Sequence, residues 1–153
     1  MFQNQTNYAA FVERIAWREQ MRDYVMDAQA AWSATNAPII SPMFLLFPGD
    51  AVCGFTADAS DGACAAQFMF GRDWLAKPIT RYGQTSSWVY LPALPRGQSW
   101  VSFFERRDYG GFAQNATMDT PVAVFPLFYR NYAASTAGGA QGRNAGAGGR
   151  LTD

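Results

Sequence analysis

Aspartate and cysteine are the side chains with the most chemistry to offer here, because the chain contains no histidine. Without an imidazole, a Ser or Cys triad lacks its usual base and a metal site lacks its commonest ligand. The candidate acids are Asp50, Asp58, Asp61, Asp73, Asp108 and Asp119. Carboxyl groups held in a pair can do general acid–base work. Each of these six, however, lies within two residues of Gly, Pro or Ser, where a short acid shapes a turn by bonding to the nearby backbone. Turn formation is the expected role, and no catalytic residue is assigned. Asp58-Ala59-Ser60-Asp61-Gly62 resembles the start of a calcium loop but lacks the later bidentate Glu, so no metal is expected. The Gly-rich C-terminal stretch has neither a strand before it nor a helix after it, so it makes no phosphate cradle and no cofactor is expected.

Cys53 and Cys64 flank that same loop. A disulfide closing about a dozen residues contributes up to ~3 kcal/mol in an oxidising compartment, whereas in a reducing one the pair is two small buried thiols. Both readings stay open. Two sequons, Asn4-Gln5-Thr6 and Asn115-Ala116-Thr117, permit glycosylation in a secretory setting.

The elements that must carry these residues read as one helix followed by strands. Asn7 can cap a helix running to about Ala34, with Trp17, Met21, Tyr24, Ala28 and Ala31 on one stripe; Asn36 and Pro38 stop it. Ile39 to Phe47 is a near-continuous apolar run of strand length, the pattern of a strand covered on both faces as in a parallel barrel. From Leu75 onward, segments rich in Val, Trp, Tyr and Phe alternate with Pro, Gly and Asn turns: 75–80, 86–91, 99–104, 114–118 and 122–129. That spacing predicts an antiparallel sandwich, so the fold class is α+β, mainly β. The expected organisation is a helix, strand and Cys53/Cys64 loop over 1–66, a β-sandwich over 67–132, and a Gly/Ala-rich tail over 133–153 that cannot bury enough surface to order itself.

Composition supports a small domain with a large core. Of 153 residues, 49% are hydrophobic and 16% aromatic, while only 16% are charged, well below the usual quarter. A surface so poor in charge calls for cover, by a further domain or by other protein chains of a larger assembly. Twelve basic residues balance twelve acidic ones, which argues against nucleic acid as a partner. The longest apolar run is interrupted by Ser41 and Pro42 and falls well short of the ~20 residues of a membrane helix, so no span is expected. The opening MFQNQTNY lacks the basic start and apolar centre of a signal peptide, which leaves the compartment unassigned.

Several motifs, in order, carry a family resemblance. They are Gln67-Phe68-Met69-Phe70-Gly71-Arg72-Asp73-Trp74-Leu75-Ala76-Lys77-Pro78, then Val89-Tyr90-Leu91-Pro92, Trp100-Val101-Ser102-Phe103, the pair Gly110-Gly111, and Phe125-Pro126-Leu127-Phe128-Tyr129-Arg130. The set resembles the β-rich region that follows the catalytic barrel in glycoside hydrolase family 31, the α-glucosidase and α-xylosidase type. Upstream, the 14–32 helix and Pro38 to Pro48 resemble that family's last barrel helix and strand, with Ser41 and Leu46 where the family usually has Arg and Glu. The resemblance spans roughly four-fifths of the chain.

It implies that the barrel strands carrying the catalytic acids lie upstream of Met1. Glycoside hydrolysis needs two opposed carboxyls about 5 to 10 Å apart, and the resemblance places none within this chain. The expected function is a non-catalytic structural or accessory subunit packed into a larger assembly. Two alternatives stand beside it: a C-terminal fragment of an active α-glycosidase whose acids lie on another chain or segment, and a carbohydrate-binding module. For the last, Trp74 and Trp88 are the candidate stacking residues, within a wider set that includes Trp100, Tyr82, Tyr90 and Tyr109. Packing in the core is the expected fate of most of these rings.

Overall fold

A computed structural model of the chain describes residues 5–54, 64 and 66–132. Two helices lead into a mostly antiparallel β structure: α1 (Gln5–Gln20), α2 (Arg22–Thr35), β1 (Ile40–Pro42), α3 (Met43–Leu46), β2 (Phe68–Phe70), β3 (Trp74–Ala76), β4 (Ser86–Leu91), β5 (Gln98–Ser102), β6 (Gln114–Asp119) and β7 (Leu127–Tyr132). The single long helix expected from the sequence is interrupted at Met21, whose ψ of 1° leaves the helical range. Backbone bonds from Met21 N to Trp17 O and from Val25 N to Met21 O, 3.0 Å each, carry the direction across the break. Asn7 lies inside α1 rather than capping it. Asn36 does close α2, in the left-handed conformation with φ 56° and its N–H on Trp32 O.

The apolar run Ile39 to Phe47 is not a barrel-type strand. Only Ile40–Pro42 is extended, and it pairs antiparallel with β2. Pro42, with φ −62° and no N–H to contribute to a ladder, then leads into the single turn α3. Length and hydrophobicity match a buried strand, but proline at the third residue ends it.

Among the described residues the strands form two sheets. One has the order β1-β2-β3-β7-β5 and the other is the ribbon β4-β6. β7, the last strand among the described residues, lies between β3 and β5 and pairs antiparallel with both. β1 shares this sheet, so Ile40–Pro42 is paired directly to the strands that follow residue 67.

The sheets face each other across a common core, as a β-sandwich does. From β4 and β6 alternate residues Val89, Leu91, Ala116 and Met118 point inward; from the larger sheet come Met69, Leu75, Trp100 and Phe128, each almost wholly buried. Two polar side chains join the layers. Gln67 holds the Tyr90 backbone as a strand would, its Nε2 donating to Tyr90 O at 2.7 Å and its Oε1 accepting Tyr90 N at 3.1 Å. Trp100 Nε1 donates to Pro92 O at 2.8 Å, so the deepest indole is satisfied.

The helices lie over the larger sheet at two points. Trp17 packs edge-on against Phe103 at 4.5 Å, and Arg14 stacks on the Trp17 ring at 3.9 Å while donating to Ala123 O. Farther along, the Tyr24 hydroxyl donates to Phe70 O at 3.0 Å and accepts Asp73 N at 3.2 Å. Gly71 makes this second dock feasible. It sits at φ 61°, and a Cβ there would overlap the Tyr24 hydroxyl and come 2.8 Å from Cζ.

Candidate functional site

β4 alternates outward and inward, with Ser86 and Trp88 exposed and Ser87 and Val89 buried. The chain returning from β3 through Lys77, Pro78 and Thr80 to the turn at Arg81–Gln84 lies beside it. Between the two runs an open groove of about 540 Å³, walled by Lys77, Thr80, Arg81, Tyr82, Gln84 and Trp88 together with Ala66, Pro78, Gly83, Ser86 and Ser87. Gly83, at φ 72°, closes the turn that holds Tyr82 out in solvent.

The groove's electrostatics are lopsided. Lys77 is only 9% exposed, and its Nζ stands 3.9 Å over the Trp88 ring. Burial alone lowers its ammonium pKa, with no opposing charge to offset it. Arg81 adds a second cation, and no acid is on the wall among the described residues. Gln84 Nε2 is committed to Ser86 O at 2.8 Å.

A smaller hollow of about 380 Å³ lies between Phe47, Gly49, Asp50, Ala51, Tyr90, Ala93 and Ala113. Asp50 is its one acid. Its Oδ1 accepts Val52 N at 2.8 Å and Cys53 N at 2.9 Å, and its Oδ2 accepts the Tyr90 hydroxyl at 3.0 Å. Burial and that carboxylate push the Tyr90 phenol up to about 12. The carboxylate therefore fastens the start of the Cys53 loop to β4.

The other candidate acids are also tied locally or lie elsewhere. Asp73 accepts the Tyr132 hydroxyl at 2.6 Å, and Asp108 accepts Ser99 Oγ at 2.8 Å and Gly110 N at 2.7 Å. Asp119 is exposed on the outer face of β6, opposite Ser86. Asp58 and Asp61, with the calcium-like loop, fall outside the described residues, as do the Asn4 sequon and the 133–153 tail. Among the described residues no three His, Cys, Asp or Glu side chains converge to hold a metal. The Cα atoms of Cys53 and Cys64 are 5.5 Å apart, inside the span of a disulfide, and the two sulfurs meet.

The aromatic candidates divide sharply. Trp74 is 6% exposed and packs on Phe103 at 5.6 Å and Tyr129 at 5.5 Å, so it has no free face for a sugar. It is a core residue, placed inward because β3 is buried along its whole length. Trp100 and Tyr90 are buried too, and Tyr109 packs edge-on against Phe128 at 5.5 Å. Trp88, at 40% exposure, and the fully exposed Tyr82 are the rings that line the groove. Lys77 and Arg81 carried no sequence signal beyond their charge. Lys77 follows three buried residues of β3, a placement that would bury its stem and direct its head beside β4.

A second exposed region is apolar. Val12, Ile15, Met26 and Trp32 on α1 and α2, with Ile40 and Leu45 just beyond, are 45 to 61% exposed. No helix among the described residues is long and apolar enough to cross a membrane.

Comparison with known proteins places this architecture. The family model "Glycosyl hydrolase family 31 C-terminal domain" matches residues 36–133. A sulfoquinovosidase of Agrobacterium fabrum is 25% identical over 128 residues, which is 84% of this chain and 18% of that protein. A probable alpha/beta-glucosidase of Arthroderma benhamiae is 26% identical over 76% of this chain and 12% of its own length. Among solved structures, a GH31 alpha-xylosidase from a soil metagenome superposes with a TM-score of 0.71 at 31% identity, over 86% of this chain and 18% of that one. The chain thus spans less than a fifth of the length of these relatives.

Proposed function

This chain belongs to glycoside hydrolase family 31 as part of its C-terminal region, and from that premise we propose that it serves as a non-catalytic scaffold that packs against other protein to complete a larger assembly. The observation that carries this reading is the set of large apolar side chains left exposed on the two helices. The sandwich closes its own core, yet Val12, Ile15, Met26 and Trp32 remain in solvent. A covering protein would take these side chains out of water. The groove walls support the same reading from the chemical side, since among the described residues the larger carries no acid and the smaller only Asp50. Among the described residues, neither wall holds the two opposed carboxyls that glycoside hydrolysis uses.

A second reading has its own support in the small share of each relative that the chain spans. Here the chain is the C-terminal part of an active α-glycosidase whose acids lie on another segment or chain. Release of aryl alcohol from an aryl α-glycoside, assayed with the purified chain and with whatever co-purifies, separates the two. The scaffold reading expects no turnover in either sample. Turnover only with the partner favours the second reading, and turnover by the chain alone as a monomer refutes both.

A further inference from the structure

We propose that the groove between the Lys77–Gln84 segment and β4 binds an acidic saccharide, a pyranose bearing a carboxylate or sulfate, independently of the scaffold role. Its parts answer to such a ligand one by one. Trp88 and Tyr82 offer ring faces to the C–H face of a pyranose, and Thr80, Gln84 and Ser86 offer partners for its hydroxyls. The volume, about 540 Å³, is within the range of small-ligand sites.

Charge narrows the class. Lys77 and Arg81 are on the wall without an acid among the described lining residues. Lys77 is 9% exposed, and its Nζ stands 3.9 Å over the Trp88 ring. A cation in that state is poorly compensated, and its lowered pKa reports the same deficit. An anionic guest would supply the missing charge, whereas a neutral sugar would bury the ammonium further. Asp119, opposite Ser86 on β6, is the nearest acid in the strand register and lies outside the wall. Two cations in a chain with twelve charges of each sign do not make a nucleic-acid surface.

The test is an NMR titration of the full chain with methyl β-glucuronide, methyl β-glucoside and inorganic sulfate, following the Trp88 indole N–H. The expected result is saturable shifts with the glucuronide, about tenfold tighter than the glucoside at low salt, the advantage shrinking at 1 M salt. Tyr82→Ala, on a fully exposed turn where the fold is not at stake, weakens both glycosides. Lys77→Met removes the preference for the acidic one. Equal affinity for the two glycosides, a preference that survives Lys77→Met, or no shift with either overturns the proposal. Sulfate binding as tightly as the glucuronide overturns the saccharide part by showing an anion site alone.

Discussion

Replacing Gly71 by alanine tests how the helices are fastened to the sandwich. Two costs add at this position. The residue is at φ 61°, where a side chain costs about 1–2 kcal/mol in left-handed backbone. The new Cβ would also occupy the place of the Tyr24 hydroxyl, expelling the ring and with it the bonds to Phe70 O and Asp73 N. Two such bonds contribute roughly 2 kcal/mol together, so Gly71→Ala should lose about 3–4 kcal/mol in all. In a Tyr24→Ala background the clash and the bonds are already gone, and the same substitution should cost only the backbone part, about 1–2 kcal/mol. Urea unfolding of the four chains, followed by far-UV circular dichroism, gives the coupling directly. A coupling near 2 kcal/mol is expected. Equal cost in both backgrounds, within about 0.5 kcal/mol, would refute the idea that Gly71 exists to admit the Tyr24 hydroxyl.

Alkaline stability follows from the same tyrosine. Burial is the chief cause that raises Tyr24 and Tyr90 to about 12, above the ordinary phenol value near 10. A folded pKa above the unfolded one gives stability that is fully present below about pH 10 and lost as pH climbs through 12, so the urea midpoint should fall in that window and fall less in Tyr24→Phe. Phe128→Ala, which empties a fully buried site between β3 and β5, should cost about 3–5 kcal/mol. Thiol titration in denaturant without reductant should find no free cysteine, and reduction should lower stability by up to ~3 kcal/mol; two free thiols would show that the Cys53–Cys64 contact is unbonded. Ile15→Glu with Met26→Glu should abolish co-purification of partner protein while the unfolding free energy changes by under about 0.5 kcal/mol, and retention of the partner would move the contact elsewhere.

Local pattern made β4 and β6 legible in advance. In Gln114 to Asp119 polar residues alternate with apolar ones, Ser86 to Leu91 is rich in aromatic and β-branched residues, and turn residues bracket each run, so both strands follow from the letters. β2 was missed because Phe68-Met69-Phe70 is only three residues long and apolar throughout, leaving no alternation to read. The 39–47 run misled for a related reason, since hydrophobicity reports burial but not the backbone change that begins at Pro42. The break at Met21 left no Gly or Pro in the sequence to mark it. Within the groove, Trp88 was visible as an aromatic on a strand, and Trp74 was equally visible but points into the core. Parity along a strand separates two such rings only when both faces are not buried, and β3 is buried on both. Lys77 acquires its meaning from Trp88, a residue eleven positions away on another strand, which composition and spacing do not disclose.

The position of β7 sets a schedule for synthesis. Because Leu127–Tyr132 is inserted between β3 and β5, a nascent chain cannot unite those two strands until that segment clears the exit tunnel. Until then the β1-β2-β3 meander and β5 present unpaired edges on either side of an empty slot, which any extended segment of another chain could fill. Closure awaits contacts distant in sequence, which slows folding, and the interval before it is when this region is most vulnerable to mispairing and most dependent on chaperones.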